Sequence, residues 1–93
     1  MNEIQKGRND FSIVDDNGEV LAEITFYSTG IDKITIDHTY VCNPMRGQGV
    51  GEALVSKVVE YAREENKKIL PVCPYAKKIM LKNVDCHDVL IKL

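Results

Sequence analysis

The hydrophobic period of this 93-residue chain first changes near its middle, and a glycine-rich loop sits at the change. Before it, Val20, Ala22, Ile24 and Phe26 alternate with Leu21, Glu23, Thr25 and Tyr27. After it, Val50, Ala53, Leu54, Lys57, Val58, Tyr61 and Ala62 recur at the spacing of one helix face. Alternation rich in branched and aromatic residues predicts strand, and the longer period predicts an amphipathic helix. A chain that switches this way must lay a helix back over a sheet already begun.

The flanking segments extend the pattern. Residues 9–15 read as a short strand, and Asp16-Asn17-Gly18 after it is a strong hairpin signal. Ser28-Thr29-Gly30 is expected to turn the chain into a third strand over 31–41, with Ile34, Ile36, His38 and Tyr40 on one face. Residues 2–6 are a candidate for one more short strand. The helix is expected from near Gly49 to near Asn66. A buried strand follows over 68–73, which Pro71 makes an irregular or edge strand. Pro74 suits the first position of a second helix over 74–83, with Ile79 and Met80 inward. Residues 88–93 read as a last strand. The expected fold is α+β, a mixed and mostly antiparallel sheet with two helices in the order β-β-β-α-β-α-β, forming one domain over residues 1–93.

Charge and cysteine usage exclude several classes. With 12 Lys+Arg against 14 Asp+Glu, the net charge is -2, which argues against generic nucleic-acid binding. No apolar run approaches the roughly 20 residues that span a bilayer, so no membrane partner is expected. The three cysteines, Cys42, Cys73 and Cys86, are odd in number and widely spaced, and no leader-like apolar segment follows the start. A reducing, cytoplasmic setting is the expectation. The two histidines, His38 and His87, lack zinc-site spacing, so no metal is expected.

The chemistry is concentrated in Val41-Cys42-Asn43-Pro44-Met45-Arg46-Gly47-Gln48-Gly49-Val50-Gly51-Glu52. Alternate glycines let a ligand approach the main chain closely. The first-turn N–H groups of the helix have no partner within it and lie at the positive end of its dipole. Together they form an anion cradle suited to phosphate or pyrophosphate, with Arg46 just outside. The P-loop lysine and hydroxyl are missing, and the glycine spacing does not fit a dinucleotide fold. The plain alternative is a strand-to-helix turn whose glycines serve packing alone.

Arg46-Gly47-Gln48-Gly49-Val50-Gly51 resembles the R/Q-x-x-G-x-G/A signature of the GNAT N-acetyltransferase superfamily. His38-Thr39, Tyr61-Ala62-Arg63 and Pro71-Val72-Cys73-Pro74 are similar, in order and spacing, to the short single-domain members of that superfamily. The resemblance covers residues 9 to 90. It implies binding of acetyl-CoA (CoA) and acetyl transfer to an amine. The pyrophosphate would lie on Gln48, Gly49, Val50, Gly51 and Glu52, with Arg46 and Gly47 shaping the loop. The pantetheine arm would run beside Tyr40, Val41 and Cys42, and the thioester would lie between that strand and the 69–73 strand. Lys77 and Lys78 are candidates for the nucleotide phosphates, set against service as a solvated helix face.

Two catalytic candidates follow. Cys73 precedes Pro74 at the expected start of the second helix, where a thiol gains thiolate character. It is a candidate acetyl acceptor or a polar neighbour of the thioester, against the alternative of a small buried hydrophobe. His38 is a candidate base for the incoming amine, against the alternative of a core histidine. The position at which many relatives carry an acid tyrosine matches Ile79, while Tyr75 is expected on another face. A non-catalytic acyl-CoA-binding or sensing module is therefore the rival reading. The connections at 16–18 and 28–30 are too short to wall an acceptor site. The amine, a small molecule or a protein lysine, would enter an open site that a second copy in a homodimer, or a larger partner, completes.

Overall fold

The computed structural model describes residues 3–91. Among the described residues, five strands form one sheet in sequential order: β1 (Gln5–Lys6), β2 (Asp10–Val14), β3 (Val20–Gly30), β4 (Lys33–Val41) and β5 (Lys68–Pro71). The first three pairings are antiparallel, and β4 with β5 is parallel. Helix α1 (Val50–Glu64) makes the crossover between the parallel pair, and α2 (Pro74–Lys82) follows β5. No helix among the described residues is long and apolar enough to cross a membrane.

The hairpin between β2 and β3 forms as the sequence predicts. Gly18 takes φ +81°, and the Asp15 carboxylate accepts the N–H groups of Asn17 and Glu19. The next turn is displaced. Ser28 and Gly30 pair with Ile34 and Lys33, so the turn falls at Ile31-Asp32 and the expected Ser28–Gly30 turn belongs to β3. The pairing shifts at Thr29, and Gly30 pairs beyond that irregularity.

One face of the sheet is packed. Phe11, Ile13, Ala22, Ile24, Phe26, Ile34, Ile36 and Ile69 are buried with Leu54, Val55, Val58, Val59 and Ala62 of α1 in a single core. The buried stripe of α1 is turned from the expected one: Ala53 and Lys57 are exposed while Val55 and Val59 are buried. The helix meets α2 as well as the sheet, and this second neighbour draws the stripe round. Leu54 is fully buried. Leu54→Ala should therefore lower unfolding free energy by about 3 kcal/mol, read from a urea transition at unchanged slope.

Of the strand expected over 88–93, the described residues 88–91 form a single parallel bridge, Leu90 to Ile69, with the Val89 carbonyl and Ile91 N–H bonded to Ile69, after a tight turn at Val84–Cys86. Lys92 and Leu93 lie outside the described residues. Arg63 holds this tail through the Asp88 carboxylate at 2.8 Å and the Asp85 carbonyl, and Lys68 reaches the Asp88 carbonyl. The Arg63 hydrogen bond holds the Asp88 carboxyl below its ordinary range.

The bulge in β4 decides which side chains reach the site. Thr25 pairs with His38, but Phe26 pairs with Ile36, so Asp37 is an extra residue. One inserted residue reverses the alternation beyond it. Ile34 and Ile36 face the core, and after the bulge Thr39 and Val41 take that side. His38 and Tyr40 therefore lie on the opposite, exposed face, contrary to the shared face expected for Ile34, Ile36, His38 and Tyr40.

Candidate functional site

Strands β4 and β5 part after Ile36 and Pro71, where their pairing ends. The Ile36 carbonyl accepts both Val72 and Cys73 N–H groups, at 3.0 and 3.1 Å, and closes the vertex of the opening. Beyond it, β4 continues with no strand on this edge among the described residues. The Cys42 N–H donates to Leu21 of β3 at 2.8 Å. By antiparallel alternation, Tyr40 also turns its main chain to β3, while Thr39 and Val41 turn theirs to the opening. Consistent with this, the Val41 carbonyl faces that side and accepts Arg46 Nε at 3.0 Å.

The loop after β4 is built around its glycines. Gly47 has φ +79° and Gly49, the residue before the first turn of α1, has φ +77°. Side chains with a Cβ rarely take that conformation. Gly51 serves differently: a methyl there would sit 2.1 Å from the Tyr75 hydroxyl. The phenol ring of Tyr75 lies against the α1 backbone because position 51 has no side chain. Gln48 Nε2 donates to the Pro44 carbonyl at 2.9 Å and pins the loop from outside.

These elements enclose a cleft of about 540 Å³ lined by Thr39, Val41, Met45, Arg46, Gly47, Gly49, Val50, Gly51, Glu52 and Tyr75. Among the candidate residues it thus gathers Val41, Arg46, Gly47, Gly49, Val50, Gly51 and Glu52. Tyr40, Cys42 and Gln48 are not part of its lining. Thr39, Met45 and Tyr75 were not singled out from the sequence. Thr39 was hidden by the bulge, and Tyr75 is the complement of the missing side chain at Gly51. Tyr75 was expected on another face, yet it lines the cleft. Burial, then the Glu52 charge, push its phenol up, so it stays protonated and able to donate.

Cys73 is buried at the start of α2, its Sγ 3.6 Å from the Thr39 hydroxyl. Burial pushes the thiol up, but the Ala76 N–H, the Thr39 hydroxyl and the Tyr75 and Thr39 N–H groups together outweigh it, leaving the thiol below its ordinary value. A second groove of about 760 Å³ runs between α1 and α2 and shares Glu52 and Tyr75 with the first. Lys78 and Lys82 line it, and Lys77 does not. Ile79 lines the same groove and offers no donor. Among the described residues, no group of His, Cys, Asp and Glu side chains could hold a metal ion.

Comparison with known proteins finds relatives of the same fold. Residues 10–89 match the family model of the GCN5-related N-acetyl-transferase. No curated protein matches the chain. The solution structure of a GCN5-like candidate N-acetyltransferase from Staphylococcus aureus is 45% identical, with a TM-score of 0.84 over 98% of this chain and 89% of its own. A ribosomal-protein-alanine N-acetyltransferase from Brucella melitensis shares the fold at 24% identity and a TM-score of 0.63, over 78% of this chain and 59% of its own. An Escherichia coli GNAT-family N-acetyltransferase solved with CoA shares it at 20% identity and a TM-score of 0.56, over 64% of this chain and 37% of its own.

Proposed function

The chain belongs to the GCN5-related N-acetyltransferase family, and on that footing we propose that it binds acetyl-CoA and moves the acetyl group to an amine. The observation that carries the reading is the continuity of the open β4 edge with the glycine-lined start of α1. A pantetheine arm can add to that edge like a strand, through the Thr39 and Val41 main chain. The pyrophosphate then meets the first-turn N–H groups of Val50, Gly51 and Glu52, at the positive end of a helix of 15 residues. Gly47 and Gly49 let it approach, and Arg46 closes the side. The nucleotide continues into the α1–α2 groove toward Lys78 and Lys82. In the E. coli relative the ligand is CoA, which supports the same class of ligand here.

Cys73 stands at the vertex where the thioester carbonyl would arrive. Its thiolate attacks the carbonyl carbon; the new S–C bond forms, the S–C bond to CoA breaks, and CoA leaves as a thiolate that Tyr75 can protonate. A neutral amine then attacks the acetyl-cysteine carbonyl. The N–C bond forms, Cys73 leaves as a thiolate, and the proton shed by nitrogen passes to His38 or to solvent. Developing negative charge on the carbonyl oxygen faces main-chain N–H groups of β4.

Calorimetric titration with acetyl-CoA and with CoA tests the reading first. Micromolar to submillimolar binding of both is expected, followed by amine-dependent thiol release. Absence of binding at millimolar ligand would reduce the glycine loop to a packed turn.

A further inference from the structure

Among the described residues, no helix packs on the second face of the sheet. In register, Asp10 lies opposite Thr25, Glu23 opposite Tyr40 and Thr25 opposite His38, while at the far end Tyr27 lies opposite Thr35, which is buried. Leu70 extends this face across β5. Tyr27, Tyr40 and Val72 are each more than two-fifths exposed. Among the described residues, the bounding connections are turns at Asp15–Glu19 and Ile31-Asp32, which do not rise from the sheet to wall a pocket. A small-molecule site is concave. A flat face with spread aromatic and aliphatic contacts suits an extended chain.

Charge states which chain. Asp10, Glu23 and Asp37 belong to this face, Asp37 accepting the Thr25 hydroxyl at 2.6 Å. Among the described residues, the ion pairs are Lys57–Glu60 and Arg63–Asp88, so none of these three carboxylates is neutralised. Lys33 and Lys68 pair in register at the other end, away from the gap between β4 and β5. On the core side α1, α2 and the cleft proposed for acetyl-CoA occupy the approach to that gap, which leaves an amine the second face. It must pass His38, Tyr40 and Val72. Strands lie about 4.8 Å apart, so the strip from β2 to β5 is about 15 Å long, the reach of four or five extended residues.

We propose that this bare face docks a positively charged polypeptide segment, laid extended across β2 to β5, that presents a lysine to the gap beside Cys73. The docking stands on the face itself; the fate of the lysine rests on the acetyl-transfer reading above.

The test uses the full chain, labelled with nitrogen-15, and three probes: a short peptide with one central lysine flanked by arginines and alanines, the same peptide with glutamate flanks, and spermidine. Amide shifts at Leu21, Glu23, Tyr40 and Val72 with the cationic peptide alone, weakening as salt rises, are expected with or without CoA. In the Asp10→Asn/Glu23→Gln double variant its affinity should fall about fivefold, with the spectrum of the free protein and the affinity for acetyl-CoA unchanged. With acetyl-CoA, the cationic peptide should exceed spermidine in kcat/KM by about tenfold or more, reflecting the added contacts. No shifts on this face, equal binding of the acidic peptide, equal use of spermidine, or burial of the face in a homodimer would each overturn the proposal. Shifts on this face without acetyl-CoA binding would uphold the docking and sink the transfer reading instead.

Discussion

Gly49→Glu should weaken acetyl-CoA binding by about a hundredfold or more while leaving the protein folded. Two effects act together. Gly49 sits at φ +77°, where a residue with a Cβ costs about 1–2 kcal/mol. The new carboxylate would also stand at the start of α1, where the proposed pyrophosphate needs N–H groups and a positive potential. The first effect lowers Tm by several degrees in a domain of this size. The second acts on the ligand alone.

Gly49→Asn separates the two. Asparagine tolerates the left-handed conformation, and the space beside Gly49 holds only the Glu52 carboxylate at 3.5 Å. This variant should keep Tm within a few degrees of the parent and acetyl-CoA affinity within about tenfold. Calorimetry on both variants reads the difference. Equal, small losses in affinity for both would mean the loop is a turn and that phosphates bind elsewhere.

What the sequence disclosed, and what it hid, divides by the range of the interactions involved. The Asn17-Gly18 hairpin, the glycine loop, the start of α1 and the Pro74 start of α2 are set by local backbone chemistry, and each lies where its residues indicate. The β4 bulge is different. It is one unpaired residue, Asp37, fixed by the partner strand, and no periodicity in 31–41 announces it. Its consequence is large: it exchanges His38 and Tyr40 for Thr39 and Val41 on the side of the cleft. The tail misleads for a related reason. Residues 88–91 are apolar enough for a strand, but Arg63 and Lys68 tie the chain at Asp88, and among the described residues the tail meets β5 only around Ile69. Tyr75 was hidden because its partner is the absent side chain of Gly51, a contact between elements more than 20 residues apart.

Cys73→Ala should abolish any acetyl-protein adduct and cut amine acetylation by at least about a hundredfold, with acetyl-CoA affinity within about threefold of the parent. The expectation follows from the surroundings of the thiol. Burial disfavours a thiolate at Cys73, and the Ala76 N–H, the Thr39 hydroxyl and the Tyr75 and Thr39 N–H groups reverse that disfavour. Thr39→Val deletes the hydroxyl at 3.6 Å and keeps the shape and the main-chain N–H. The pH at which Cys73 becomes reactive to iodoacetamide should rise toward the ordinary thiol value, and turnover at neutral pH should fall with it. The linked stability has a definite sign. A thiol with a depressed value in the folded state adds stability that is full above its unfolded value of 9.0 and is lost as pH falls through the folded one. Wild-type stability relative to Thr39→Val should therefore increase with pH across that window. A flat difference would mean that the hydroxyl does not touch the thiolate. Intact mass after incubation with acetyl-CoA then decides the chemistry. A gain of one acetyl group lost in Cys73→Ala supports the cysteine step, whereas full turnover in Cys73→Ala would leave direct attack of the amine on the thioester.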